Sequence, residues 1–168
     1  MLIVSATISK PTLSDLSTAE LGAWRGLLRV HSALIRDLDA QLEREHELPL
    51  TSYEVLLTLA GCPESRMRMS ELADSVLLSR SGCTRLVDRL EREGLLTRGE
   101  CAGDARGAYA VLTEAGLERF RAARITHLEG VRERFTSRFS EEELARMATL
   151  WDRVVPGASG IEPPCGEG

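Results

Sequence analysis

The chain has 168 residues, of which 43% are hydrophobic and 28% charged, a composition typical of a globular protein long enough to bury one core. Its formal net charge of −5 argues against a protein that coats nucleic acid through overall positive charge. No apolar run approaches the roughly 20 residues of a membrane span. The opening segment MLIVSATISK lacks the basic start of a secretory signal, so a cytoplasmic location without membrane contact is expected.

The first predicted element is a long amphipathic helix. It is expected to open within residues 12–15, with Thr12 or Ser14 as its cap, and to continue to about Glu45. Apolar residues recur along it at steps of three and four: Leu21, Trp24, Leu28, Ile35, Leu38 and Leu42.

A second, shorter helix is predicted after Pro49. The spacing Thr51-x-x-Glu54 is that of a capping box, in which each side chain accepts from the other residue's backbone N–H. We therefore expect Thr51 to cap a helix that ends at Ala60.

The stretch from Met69 to Gly94 predicts a helix-turn-helix. Ser70 is placed to cap the first helix, and Ser79 or Ser81 the second, which Gly94 ends. The second helix has an apolar face and an opposite face of hydroxyl and charged groups: Ser81, Thr84, Arg85, Asp88 and Arg89. That mixture suits base edges and phosphates in a major groove, although for this helix alone an ordinary solvated face is the alternative.

A β-hairpin is predicted next. Residues 95–98 begin a strand, and residues 108–113 alternate as the return strand. Gly99, Gly103 and Gly107 permit the positive φ angles of a long turn with Arg106 at its tip. A helix-turn-helix followed by a basic hairpin predicts a winged helix, with one helix in the major groove and the wing against the neighbouring backbone or minor groove.

Two further helices are predicted after the hairpin. Thr113 is expected to cap a long one, and Ser140 with Glu143 forms a capping box for the last. The Gly- and Pro-rich residues that follow Pro156 are expected to be disordered. The terminal helices carry more apolar surface than so small a winged helix needs, and such a surplus usually packs against a partner.

A set of segments distributed over the helix-turn-helix and the hairpin has a recognisable pattern: Leu72-Ala73, residues 84–91 (TRLVDRLE), Gly94-Leu95-Leu96, Arg98, the wing motif Asp104-x-Arg106 and residues 112–116 (LTEAG). In these segments the chain resembles the MarR family of bacterial transcription regulators, and the resemblance extends from about Leu13 to Val155. It implies a mostly α fold with a small β-hairpin wing, a winged helix-turn-helix with long N- and C-terminal dimerisation helices. It divides the chain into an N-terminal dimerisation helix (12–48), a DNA-binding lobe (49–113), C-terminal dimerisation helices (114–155) and a tail (156–168).

The resemblance implies a homodimer, more often a repressor, on a pseudo-palindromic site in double-stranded DNA. Its two recognition helices would lie about one DNA turn, ~34 Å, apart. Arg106 is expected to enter the minor groove and Asp104 to orient an arginine. For Arg85 and Arg98, pairing with an acid inside the domain is an equal alternative. The candidate DNA-binding residues are Arg80, Ser81, Thr84, Arg85, Arg89, Arg98, Asp104 and Arg106.

The resemblance also implies a small aromatic or phenolic effector, bound between the dimerisation helices and the DNA-binding lobe. A ligand that prefers a lobe spacing unsuited to DNA would release the operator by linkage. Plain packing is the alternative for Trp24 and Tyr53. The candidate effector residues are Trp24, Arg25, His31, Tyr53 and Glu54.

Two other functions stay open: a winged-helix dimer that binds proteins, and a redox-responsive regulator that acts through Cys101 in the wing. The cysteines have no CxxC spacing and the three histidines are unpaired, so neither a disulfide, a metal site nor a cofactor is expected. No catalytic constellation of nucleophile and base, phosphate-binding loop or paired carboxylates is recognisable, so an enzyme is not expected.

Overall fold

The computed structural model describes residues 16–76, 78–101 and 104–160, and the side chains of residues 100–107 lie outside this description. The three strands form an antiparallel sheet in the order β1-β3-β2. The predicted mostly helical fold with a small wing is confirmed, whereas the short strand β1 was not predicted. The elements are α1 (Thr18–His46), α2 (Leu50–Ala60), β1 (Arg66–Arg68), α3 (Met69–Ser75), α4 (Arg80–Arg92), β2 (Leu96–Cys101), β3 (Asp104–Leu112), α5 (Glu114–Arg134) and α6 (Glu141–Val154).

The core lies in the winged-helix lobe, where α2, α3, α4 and the sheet meet one end of α1 and the first half of α5. Its largest fully buried side chains are Leu42, Leu48, Ser52, Val55, Leu56, Leu59, Leu72, Cys83, Val87, Leu90 and Leu96. This packing fixes the inner side of α4 and leaves its outer side to solvent. No helix of the described residues combines the length and apolar character needed to cross a bilayer.

The start of α1 differs from the prediction. The helix begins at Thr18, and its cap is Ser17 rather than Thr12 or Ser14, which lie outside the described residues. The Ser17 hydroxyl accepts from the Glu20 N–H, and the Glu20 carboxylate accepts from the Ser17 N–H at 2.7 Å. This reciprocal pair is a capping box that was readable in the sequence.

The caps predicted for α2 and α3 are wrong. Pro49 occupies the N-cap position of α2, which places Thr51 inside the first turn, where it caps nothing. The Leu50 N–H instead donates to the Asp39 carboxylate at 2.7 Å, so α1 supplies the cap of α2. In α3 the helix already begins at Met69, and Ser70 makes no cap.

The wing turn is shorter than predicted, because the strands pair further along the hairpin. Strand β2 extends through Cys101 and β3 begins at Asp104, with an irregularity after Glu100. Gly99 lies opposite Tyr109 inside the ladder, and Gly107 also belongs to a strand. These two glycines therefore lie in the strands of the hairpin rather than in its turn.

The C-terminal helices begin as predicted. Thr113 caps α5 by accepting from the Gly116 N–H at 3.0 Å, and its own hydroxyl donates to the Gly94 carbonyl. Ser140 and Glu143 form the predicted capping box of α6. No residue of α6 is buried. Of the predicted tail, residues 156–159 form turns, and residues 161–168 lie outside the described part.

Candidate nucleic-acid interface

The first two turns of α4 form an exposed polar surface. Ser79 accepts from the Gly82 N–H at 3.1 Å, which begins the helix as predicted. The inner face packs into the core through Cys83, Val87 and Leu90, none of which has exposed surface. The outer face carries four exposed candidates, namely Arg80, Ser81, Thr84 and Arg85. The helical spacing thus produces the division of faces that the sequence predicted.

Two arginines of this surface are unengaged. Within the described part of the chain, the guanidinium groups of Arg80 and Arg85 form neither an ion pair nor a side-chain hydrogen bond, so the alternative of an internal acid partner for Arg85 is not observed. The Thr84 hydroxyl donates to the Arg80 carbonyl at 2.9 Å, and the Ser81 and Ser79 hydroxyls lie 3.3 Å apart. Both positive charges lie at the N-terminal end of α4, where the helix dipole also favours an anion.

Two other candidate arginines are engaged inside the lobe. The Arg98 guanidinium donates to the Asp88 carboxylate, and its Nε lies 3.7 Å from the Glu91 carboxylate. This is the internal pairing that the sequence analysis left open for Arg98. Arg89 donates from Nη2 to the hydroxyl of Ser52 on α2, and its Nε lies 3.7 Å from Glu93. Their DNA contacts remain predictions.

Strand β1 carries two arginines beside the wing strand β3 that the candidate residues did not include, and Arg66 also pairs with the Glu64 carboxylate at 2.8 Å. The guanidinium carbons of Arg66 and Arg68 lie 5.2 and 5.7 Å from the centre of the Tyr109 ring, within the range of cation–π attraction. The alternation Arg-Met-Arg, with a buried Met67, was the only sequence signal of β1. The predicted wing contacts Asp104 and Arg106 fall in β3, and their side chains lie outside the described residues.

Three effector candidates lie on the first half of α1. Trp24 is 54% exposed, and Arg25 and His31 are exposed as well. Helical rise puts Trp24 about 27 Å along the axis from Leu42, where α1 enters the core. These residues therefore lie far from the lobe of their own chain.

The other two effector candidates lie on α2. Tyr53 is a core residue whose ring centre is 4.6 Å from that of His127 and 5.7 Å from that of Phe120. Glu54 is half-buried, and this burial raises the pKa of its carboxyl group above the ordinary value. Within one chain, Tyr53 and Glu54 therefore lie far from Trp24.

Two surface cavities adjoin α4. One, of about 280 Å³, lies beside the first three turns of the helix and is lined by Thr51, Leu78, Gly82, Arg85, Leu86 and Arg89. The other, of about 350 Å³, lies at its C-terminal end and is lined by Glu47, Glu93, Leu95 and Arg119. Neither is lined by a predicted effector residue.

The cysteines differ in their surroundings. Cys83 is free and buried, and burial raises the pKa of its thiol. Cys62 is disulfide-bonded, so the expectation of no disulfide is wrong for this residue. The side chain of Cys101 lies outside the described part, and its redox role stays a prediction. Among the described residues no group of three or more His, Cys, Asp or Glu is placed to hold a metal ion.

Comparison with known proteins identifies relatives of this chain. The model of the MarR family matches residues 46–107. The HTH-type transcriptional regulator PecS of Dickeya dadantii is 31% identical over 130 residues, which are 76% of this chain and 76% of PecS. The transcriptional repressor MprA of Escherichia coli is 29% identical over 104 residues, 62% of this chain and 58% of MprA.

A solved structure gives the same result. Sco3205, a MarR family transcriptional regulator from Streptomyces coelicolor crystallised in complex with DNA, is 32% identical and superposes with a TM-score of 0.80. The match covers 89% of this chain and 94% of Sco3205, so it includes the flanking helices as well as the winged lobe. With its helix-turn-helix, its wing and its exposed arginines on α4, the chain belongs to the MarR family of DNA-binding transcriptional regulators.

Proposed function

We propose that the protein is a cytoplasmic homodimeric repressor of a pseudo-palindromic operator, released from DNA by a small aromatic or phenolic molecule. The observation that carries the DNA-binding part is the pair of unengaged guanidinium groups on the exposed first turns of α4. Each can meet a phosphate or a guanine edge without first breaking an internal ion pair. DNA as the partner also supports the cytoplasmic location.

The chain's acidic total is compatible with this proposal. DNA responds to where positive charge lies, and the net charge of −5 is an average over the whole sequence. Helix α4 carries four arginines and two acidic residues, and its acidic residues Asp88 and Glu91 are occupied by Arg98. The surface offered to DNA is therefore positive.

The dimer is supported by apolar surface on the flanking helices. Helix α6 has a well-formed cap and an apolar stripe, yet buries none of it. Large hydrophobic side chains are also exposed on α1 and α5. The exposed residues of this surface are Trp24, Leu27, Leu28, Val30, Ile35, Ile125, Leu128, Phe139, Leu150, Trp151, Val154 and Val155. So many exposed large hydrophobic side chains on the flanking helices are typical of an interface.

Repression is supported by the name of the relative MprA, a transcriptional repressor. For the effector, the argument starts from the distance between Trp24 and the winged-helix lobe of the same chain. A site that unites Trp24, Arg25 and His31 with Glu54 needs the α1 helix of a second subunit. A dimer therefore has to form before this effector site is complete.

The test begins with a duplex selected from a random-sequence pool by the purified protein. We expect a footprint of two inverted half-sites with centres about 10 base pairs apart, and a dimer by sedimentation equilibrium. Trp151→Glu should yield monomers that lose the two-half-site footprint. Thr149→Glu is the matched control, because it adds the same charge on the opposite side of α6. A monomeric wild type that protects one half-site would overturn the proposal.

The effector part is tested separately. Small aromatic acids and phenols are screened for release of the selected duplex and for a shift in melting temperature. A releasing compound should lose its effect in Trp24→Ala, assayed at a protein concentration at which sedimentation shows this variant to be a dimer. If no compound of this class releases the duplex, the effector part is wrong while the DNA-binding part stands.

A further inference from the structure

Ser52 is an unusual residue for the core of this lobe. It lies in the first turn of α2 and has no exposed surface, although its side chain is a hydroxyl group. Such a group loses free energy on burial unless it forms a hydrogen bond. The partner present in the described residues is Arg89, whose Nη2 lies 2.5 Å from the Ser52 Oγ.

The guanidinium group of Arg89, whose side chain is 40% exposed, is directed towards this partner on α2. Its Nε is buried and has no hydrogen-bond acceptor, and the Glu93 carboxylate lies 3.7 Å from it. Arg85, one helical turn earlier, forms no such contact in the described part of the chain. Two arginines at i and i+4 on one helix thus have different surroundings, which their spacing alone would not indicate.

The contact gives α4 a directional attachment to α2. The apolar face of α4 packs through Cys83, Val87 and Leu90, and the contact with Ser52 adds a directional restraint on the roll of the helix to that packing. A hydrogen bond from a charged donor is directional and roughly twice as strong as a neutral one. The Arg98–Asp88 pair attaches the adjacent position of α4 to the wing strand β2.

We propose that Ser52 and Arg89 are positioning residues, which fix the angle of α4 from α2 so that Arg80, Ser81 and Thr84 meet the correct base steps and Arg85 meets a phosphate. Arg89 then supplies no phosphate contact. This inference rests on α4 being the recognition helix of the proposed function. It assigns a task in DNA recognition to a buried serine that faces no DNA.

The salt dependence of binding separates positioning from phosphate contact. Each phosphate contact that is lost lowers the steepness of log K against log salt by about one, so a dimer loses about two. We expect Arg85→Ala to lower the steepness in this way. Ser52→Ala and Arg89→Ala should leave the steepness unchanged and reduce the preference for the selected duplex over random DNA by about tenfold, the scale of one hydrogen bond to a charged group.

Two further variants complete the test. Arg89→Met keeps an unbranched side chain of similar length and loses every hydrogen-bond donor, so it should behave as Arg89→Ala does, and it stays informative if Arg89→Ala fails to fold. The double variant Ser52→Ala/Arg89→Ala should be no worse than Arg89→Ala alone, because both changes remove one contact.

The opposite results would overturn the inference. These are a reduced salt steepness in Arg89→Ala, full DNA preference in Arg89→Met, or additive losses in the double variant. Failure of the proposed function looks different: the wild type would then show no preference for any duplex, and Arg85→Ala would change nothing.

Discussion

The Arg98 guanidinium on β2 donates a hydrogen bond to the Asp88 carboxylate on the outer side of α4. The base of the wing and the recognition helix are therefore joined by an ion pair as well as by the shared core. Glu91, one turn further along α4, lies 3.7 Å from the same guanidinium group. These three side chains therefore help to hold α4 and the base of the wing in a fixed relative position.

Breaking this pair should affect DNA binding more than stability. Both side chains are about 40% exposed, at 39% and 44%, so Asp88→Asn should lower the free energy of unfolding by less than about 1 kcal/mol. Urea unfolding measures this loss, and fluorescence anisotropy with the selected duplex measures the affinity. A stability loss well above that figure, with unchanged affinity, would show that the pair serves the fold alone.

Gly116 should not tolerate a side chain. A Cβ at this position would lie 2.1 Å from the Leu95 carbonyl oxygen and 2.8 Å from the Leu112 Cδ1, and the first of these is backbone that cannot move cheaply. Gly116→Ala should therefore lower the free energy of unfolding by ~1–3 kcal/mol or more. Thermal unfolding followed by circular dichroism measures the effect.

Gly22 is the matched control for this change. It also lies in a helix, but a Cβ there meets nothing within 4 Å. Gly22→Ala should raise stability by ~0.5–1 kcal/mol, because alanine loses less conformational freedom in a helix than glycine does. Equal effects of the two substitutions would contradict the close approach of α5 to Leu95.

Stability should fall on acidification through His127. Burial lowers the pKa of its imidazole below the ordinary value of 6.5, and its buried Nδ1 has no hydrogen-bond partner among the residues that the structure describes. The unfolded chain then binds more protons than the folded chain in the window below 6.5, so the stability present above 6.5 is lost as pH falls through the folded pKa.

Urea unfolding from roughly pH 8 to pH 5 tests this dependence. The wild type should lose more stability over the range than His127→Gln, in which the titrating group is absent. His31→Gln, at an exposed position of α1, is the control and should follow the wild type. Identical pH profiles for wild type and His127→Gln would contradict the assignment.

Local signals made part of this structure predictable. The caps of α4, α5 and α6 are formed by residues within three positions of the N–H groups they satisfy, so Ser79, Thr113 and Ser140 were readable from spacing. The cap of α2 was not, because Asp39 reaches it from α1 across a turn. Strand β1 was missed because its Arg-Met-Arg alternation spans three residues, too few to distinguish a strand from a loop.

The sequence predicted which residues share the outer face of α4, but it did not predict which side chains contact them. Helical spacing placed Arg85 and Arg89 on the same side of α4. Whether each guanidinium group faces solvent or a neighbour depends on residues far away in sequence, and Ser52 is 37 positions from Arg89. Composition could not reveal this, since a buried serine in α2 carries no distinctive pattern.

The most direct test of the account is a salt titration of the selected duplex with the wild type and Arg85→Ala, with the stoichiometry measured in the same experiment. The account predicts two chains per duplex, and a slope of log K against log salt that is shallower by about two in Arg85→Ala, one phosphate contact from each subunit. Arg44→Ala, at an exposed position of α1, should leave the slope unchanged. One chain per duplex, or an unchanged slope in Arg85→Ala, would contradict the proposal that paired α4 helices bind the DNA.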